Sequence, residues 1–100
     1  MNVAYEVHFY DSIRVFGRVK SFAEARPVIV GEFGLIPNEY NGISMSMVDC
    51  SNLIDKAEEI GIAWVAWSMS SDDPPNMLKE DGGFTVYGNM IKCKLANNKI

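Results

Sequence analysis

At 100 residues the chain is about one small domain, long enough for a modest core but far short of the roughly 250 residues of a closed eight-stranded β/α barrel. Hydrophobic residues make up 48% of it and charged residues 22%, which excludes a disordered chain. A net charge of -4 with no basic cluster argues against nucleic acid and anionic membranes as partners, because both are held by concentrated Lys and Arg; a sugar or another neutral ligand fits better.

The first predicted element is a strand over Asn2–Tyr10, "NVAYEVHFY". "DSIRVFGRVKSFAEA" follows and spaces Ile13, Phe16, Val19 and Phe22 at helical intervals, with Asp11 or Ser12 as cap and Gly17 as a weak point. A second strand covers Pro27–Phe33, "PVIVGEF". The next helix, within "SMSMVDCSNLIDKAEEIG", carries Met47, Cys50, Leu53, Ile54 and Ala57 on one face and stops at Gly61. A third strand is predicted over Gly61–Met69, "GIAWVAWSM". The longest loop, "SSDDPPNMLKEDGGFTVYG", comes next, and a tail from about Tyr87 to Leu95 reads as helical. Strand alternating with helix predicts a parallel α/β arrangement.

No stretch approaches the roughly 18 apolar residues that span a bilayer, and "MNVAYEVHFYD" lacks the basic head and apolar core of a signal peptide. Cys50 and Cys93 are expected as free thiols rather than a disulfide. His8 is the only histidine, so a His/Cys zinc site or a Ser/His/Asp triad would rest on it alone, and no G-x-S-x-G motif is present. Asp72 and Asp73 read as a solvated turn, too few carboxylates for a calcium cage.

One charge is out of place in this pattern. In "RPVIVGEFG" an apolar run ends in Glu32, held between glycines. Strict alternation puts Val28, Val30 and Glu32 on one face and Ile29, Gly31 and Phe33 on the other. A carboxylate at the carboxyl end of a parallel strand stands where α/β folds place their chemistry. By the same alternation Ala4, Glu6, His8 and Tyr10 share a face, as do Ala63, Val65 and Trp67, whereas Trp64, Tyr5 and Phe33 read as core against helices.

"EVHFYD", "PVIVGEFG" and "GIAWVAWS", each closing a strand, and "LKEDGGFTVYGNMIK" after them, together resemble the carboxyl-terminal part of a family 5 glycoside hydrolase of the cellulase or mannanase type. The resemblance runs nearly the whole length of the chain. It implies that residues 1–100 are a partial catalytic domain, the last three β/α units (strands six, seven and eight) of a (β/α)8 TIM barrel. It also implies that Glu32 is the catalytic nucleophile, that His8 and Tyr10 are the His-x-Tyr pair lining the same site, and that Trp67 stacks on a sugar ring. The implied reaction is retaining hydrolysis of a β-linked polysaccharide, cellulose, mannan or a related glucan, with no metal or organic cofactor. In such a reaction one carboxylate attacks the anomeric carbon while a carboxyl group about 5 to 5.5 Å away protonates the leaving oxygen. Donors such as Tyr10 or His8 would keep Glu32 ionised, and Gly31 and Gly34 would leave room for the sugar.

The family's acid/base residue belongs to an Asn-Glu-Pro segment on strand four, which has no counterpart in this sequence; Glu39 in "PNEY" does not match its context. Three parallel strands with helices on one side would leave an open inner face and two unpaired edges, which predicts self-association or a missing N-terminal barrel portion as partner. Glu6 would face that interior with no evident basic partner. Two other readings stand beside the hydrolase: a non-catalytic carbohydrate-binding or assembly fragment, and an incomplete product without function of its own. Enzymes of the resembling kind are usually secreted, which implies an extracellular location for a full-length relative.

Overall fold

A computed structural model describes residues 3–97. It divides into two compact units, Met1–Ala66 and Trp67–Ile100. No helix among the described residues is long and apolar enough to cross a membrane.

The first unit is built on a parallel sheet of three strands in the order β1 (Tyr5–His8), β2 (Val28–Glu32) and β5 (Ala63–Trp64). Asn2, the predicted start of the first strand, lies outside the described residues. One face of this sheet is packed. Val28, Val30 and Phe33 are buried there, together with Phe16 and Val19 from the segment after β1 and with Cys50, Leu53, Ile54 and Ala57 of α2 (Met47–Ile60). Edge-to-face ring pairs join the sheet to the helical segment after β1, at 5.4 Å between Tyr5 and Phe22 and 5.4 Å between Phe9 and Phe16, and join neighbouring strands at 6.0 Å between Phe33 and Trp64. Trp64 also donates its indole N–H to Glu58 of α2 at 2.8 Å. The opposite face is largely open: Glu6, Ala63 and Val65 are exposed, and β1 and β5 each have one unpaired edge.

The helix expected from Asp11 to Ala25 is broken in two. Ser12 caps a single 3-10 turn, Ile13–Val15, by accepting from the Arg14 amide, and α1 (Gly17–Ala25) starts only after Phe16. Gly17 marks the joint, so the weak point in the periodicity became a change of helix type. The third predicted strand is also shorter. Gly61–Met69 pairs with β2 only at Ala63, Trp64 and the Val65 amide, which donates to the Val30 carbonyl at 2.8 Å. The ladder on β2 is disrupted at Gly31, the next residue, so the edge strand has nothing regular to pair with beyond that point.

A hairpin was not foreseen. β3 (Ile36–Tyr40) and β4 (Ile43–Met45) pair antiparallel around Asn41 and Gly42, whose φ angles are +51° and +79°. Those angles are what a tight Asn-Gly hairpin turn demands, and the dipeptide between "IPNEY" and "ISM" was the available signal.

α2 is anchored at both ends. Gly61 closes it in the left-handed conformation, φ +77°. At its start the Ser46 hydroxyl accepts from the Asp49 amide at 3.0 Å while the Asp49 carboxylate accepts from the Ser46 amide and hydroxyl, a reciprocal capping box. Asp49 also accepts from the amide of Ile13 at 2.9 Å, fastening the 3-10 turn to the helix. Burial acts to raise the pKa of this carboxyl, but the hydrogen bonds from Ile13 and Ser46, with the charge of Arg14, outweigh it and hold the pKa below the ordinary 3.8. Asp49→Ala should therefore cost about 1–2 kcal/mol in a denaturant titration at pH 7. Because the folded pKa lies below the unfolded one, that contribution is complete above pH 3.8 and fades as pH falls through the folded value. Parent and variant curves should then converge in acid.

The second unit runs from Trp67 through a long loop into α3 (Val86–Asn97). Ser70 accepts from the amides of Asp72 and Asp73, making the acidic stretch a local turn. A short bridge pairs Leu78 with Phe84 around Gly82, φ +88°. Thr85 caps α3 by accepting from the Gly88 amide at 3.0 Å and donates to the Asn76 carbonyl at 2.9 Å. Met77, Tyr87 and Ile91 form the buried core of this unit. Both thiols are free, Cys50 buried in α2 and Cys93 exposed on α3. Burial, aided by the Asp49 charge, pushes the Cys50 pKa up to about 12 and leaves it unreactive.

Candidate functional site

The carboxyl ends of β1 and β2 bring together three of the four predicted site residues. Tyr10 donates its hydroxyl to Glu32 Oε2 at 2.8 Å. His8 Nδ1 lies 3.5 Å from Glu32 Oε1, so the carboxylate has a phenol at one oxygen and an imidazole at the other. Its side chain is 25% exposed, enough for a ligand to reach. The segment beyond the strands is held as well, because the Phe9 amide donates to the Glu32 carbonyl at 2.9 Å.

The geometry depends on a register shift that strict alternation does not contain. Tyr5, Glu6 and Val7 pair with Val28, Ile29 and Val30, but His8 pairs with Glu32, leaving Gly31 as an extra residue on β2. This β-bulge overturns the expected faces. Val28 and Val30 look toward the helices, and Phe33 joins them, fully buried against Trp64. Glu32 is turned instead to the open face that carries Glu6 and His8. Without Gly31 as the extra residue, Glu32 would continue the Val28–Val30 row toward the helices and would not meet His8.

Glu6 is corrected in the same way. Its partner is His8, two residues along the same face, with Nε2 at 3.4 Å from the Glu6 carboxylate, an ion pair when the imidazole is protonated. The expectation of no basic partner overlooked the i, i+2 neighbour. The Glu6 side chain is 61% exposed, so its charge is not buried.

Trp67 belongs to the other unit. It is half-buried, lies beyond the end of β5 rather than in a strand, and its peptide bond to Ser68 is cis. Gly31, expected to leave space for a ligand, has that space filled: a Cβ there would collide with the Glu6 carboxylate and its methylene.

Chemically, the cluster is a partly shielded carboxylate whose two oxygens face a phenol donor and an imidazole. Such a group suits attack on an electrophilic carbon or the binding of hydroxyl groups. No group of three or more His, Cys, Asp or Glu side chains among the described residues is arranged to hold a metal ion.

No family model and no curated protein sequence matches the chain. Its structure is similar to that of a β-glucanase from Saccharophagus degradans in complex with cellotetraose, at 18% identity and TM-score 0.74, covering 96% of this chain and 34% of that one. It is similar also to a β-mannanase from Streptomyces thermolilacinus with mannohexaose, at 19% identity and TM-score 0.73, covering 94% and 32%. The catalytic domain of a mannanase from Streptomyces sp. SirexAA-E aligns at 26% identity and TM-score 0.69, covering 88% and 29%. The chain thus spans about a third of the length of these enzymes. Its mixed α/β structure with parallel strands matches part of a TIM-barrel glycosidase.

Proposed function

We propose that the chain is the part of a family 5 glycoside hydrolase that contributes strands six to eight of the barrel, and that it acts on a β-linked glycan by a retaining mechanism with Glu32 as nucleophile. The observation that carries this reading is Glu32 itself, at the carboxyl end of a parallel strand with one oxygen on the Tyr10 hydroxyl at 2.8 Å. A donor there stabilises the ionised carboxylate, the form that attacks. His8 faces the other oxygen at 3.5 Å; Trp67 keeps the sugar-stacking role that the family resemblance implies for it. The similar enzymes were solved with cellotetraose and mannohexaose, which favours a β-linked oligosaccharide as ligand. The proton donor would come from a carboxyl group outside this sequence, either in a longer chain or in an associated one.

An experiment that needs no proton donor tests the nucleophile directly. A 2-deoxy-2-fluoro β-cellobioside with a dinitrophenolate leaving group releases that group unprotonated and leaves a slowly hydrolysed sugar on the attacking residue. Mass spectrometry of the digested chain should find one added fluorocellobiosyl group, on the peptide carrying Glu32 and absent from Glu32→Gln. Labelling elsewhere, or equal labelling of the variant, would remove Glu32 from the role.

A further inference from the structure

Glu6 and Gly31 are left over by this reading, and they touch. The Glu6 carboxylate lies over the α-carbon of Gly31, in the space a side chain there would take. From that position it faces His8 Nε2 at 3.4 Å, while His8 Nδ1 faces Glu32 at 3.5 Å. The three side chains form a row, carboxylate, imidazole, carboxylate, along the open face of the sheet. The imidazole is half-exposed, so its orientation depends strongly on what its two nitrogens meet.

Building on the assignment of Glu32 as nucleophile, we propose that Glu6 is a positioning residue: lodged in the gap left by the missing side chain of Gly31, it holds the His8 ring by Nε2 and so fixes Nδ1 against Glu32. The bulge places Glu32 level with His8, and Gly31, the bulged residue, opens the gap for Glu6. Gly31 does not need to be glycine for its backbone, which lies outside the left-handed region. Its requirement is steric, and the three atoms a Cβ there would meet first all belong to Glu6.

That last point makes the proposal testable by a double-mutant cycle. The sequence contains one histidine, so nitrogen-15 correlations of the imidazole give a single set of ring signals. At one fixed pH, Glu6→Ala should move the Nε2 signal and, as the ring is released from its hold on Glu32, the Nδ1 signal as well. Gly31→Ala changes no polar group, yet it should shift both signals by evicting the Glu6 carboxylate. In the Glu6→Ala background Gly31→Ala should add nothing, since the side chain it displaces is gone. That double variant also relieves the collision, so it reports even if Gly31→Ala alone folds poorly. In turnover of an aryl β-cellobioside, Glu6→Ala should lower kcat roughly tenfold and leave KM unchanged, as expected of a misplaced reacting group. Ring signals unmoved by Glu6→Ala, or a Gly31→Ala effect of equal size with and without Glu6, would overturn the proposal. A parent chain that never forms the Glu32 adduct would defeat the nucleophile assignment instead, while the ring signals still decide what Glu6 does.

Discussion

Glu32→Gln is expected to lower turnover of an aryl β-cellobioside by at least about 10³-fold, since the amide keeps the shape of the side chain and loses the attacking lone pairs of a carboxylate. Using a nitrophenolate leaving group matters. It departs without general acid help, so the first step, attack by Glu32 with release of the nitrophenolate, does not need the roughly 10² to 10⁴-fold contribution of a proton donor, and that release is the signal compared between parent and variant. Binding of cellotetraose should change little, because the Tyr10 hydroxyl and His8 remain. A complementary result should come from Glu32→Ala in the presence of azide. A small anion in the vacated space attacks the sugar from the face that Glu32 would have used, and the product is a glycosyl azide of inverted configuration. Turnover in Glu32→Gln equal to that of the parent would place the chemistry elsewhere.

The largest effect on folding is expected at Gly88. Inside a helix, exchanging glycine for alanine normally gains up to about 1 kcal/mol. Here a Cβ would run into the backbone carbonyl of Met77, which cannot swing aside as a side chain tip can. Gly88→Val should therefore destabilise by about 3 kcal/mol, the upper range of overpacking, by pushing α3 away from the Met77 segment. Gly17→Ala is the matched control, since nothing stands within 4 Å of a Cβ at that position. Thermal unfolding followed by circular dichroism should show a fall of roughly 12–24 °C for the first and no loss for the second. Equal melting of both variants would show that the contact at Met77 yields more readily than a backbone should.

How much of this could be read from the residues differs from element to element. α2 was legible because Leu53, Ile54 and Ala57 repeat at helical spacing and Gly61 ends it; all three are fully buried and Gly61 is its left-handed cap. The clustering of Glu32 with His8 and Tyr10 was legible too, but for a reason that alternation alone does not supply. A period of two predicts that Glu32 continues the Val30 row, and only the extra residue at Gly31 turns it to the other face. Nothing local distinguishes a glycine that bulges from one that merely gives room. Glu6 illustrates the opposite case, for its partner, His8, stands two residues along the same strand and is basic only when its imidazole is protonated. Trp67 was expected at the end of a long strand, but a strand persists only as far as its neighbour offers a regular ladder.

The order of strands in the first unit bears on how the chain reaches its fold. β1, β2 and β5 lie side by side in the order in which they are synthesised, each joined to the next through a helix. Every strand therefore finds its partner among residues already made, once the helical crossover between the two strands has been completed. Such a sheet can be laid down stepwise as the polypeptide emerges, with α1 folding while β2 is still arriving. Addition along this sheet also has no built-in end point. A closed barrel stops growing when its last strand meets its first, whereas the described sheet ends in two edge strands, β1 and β5.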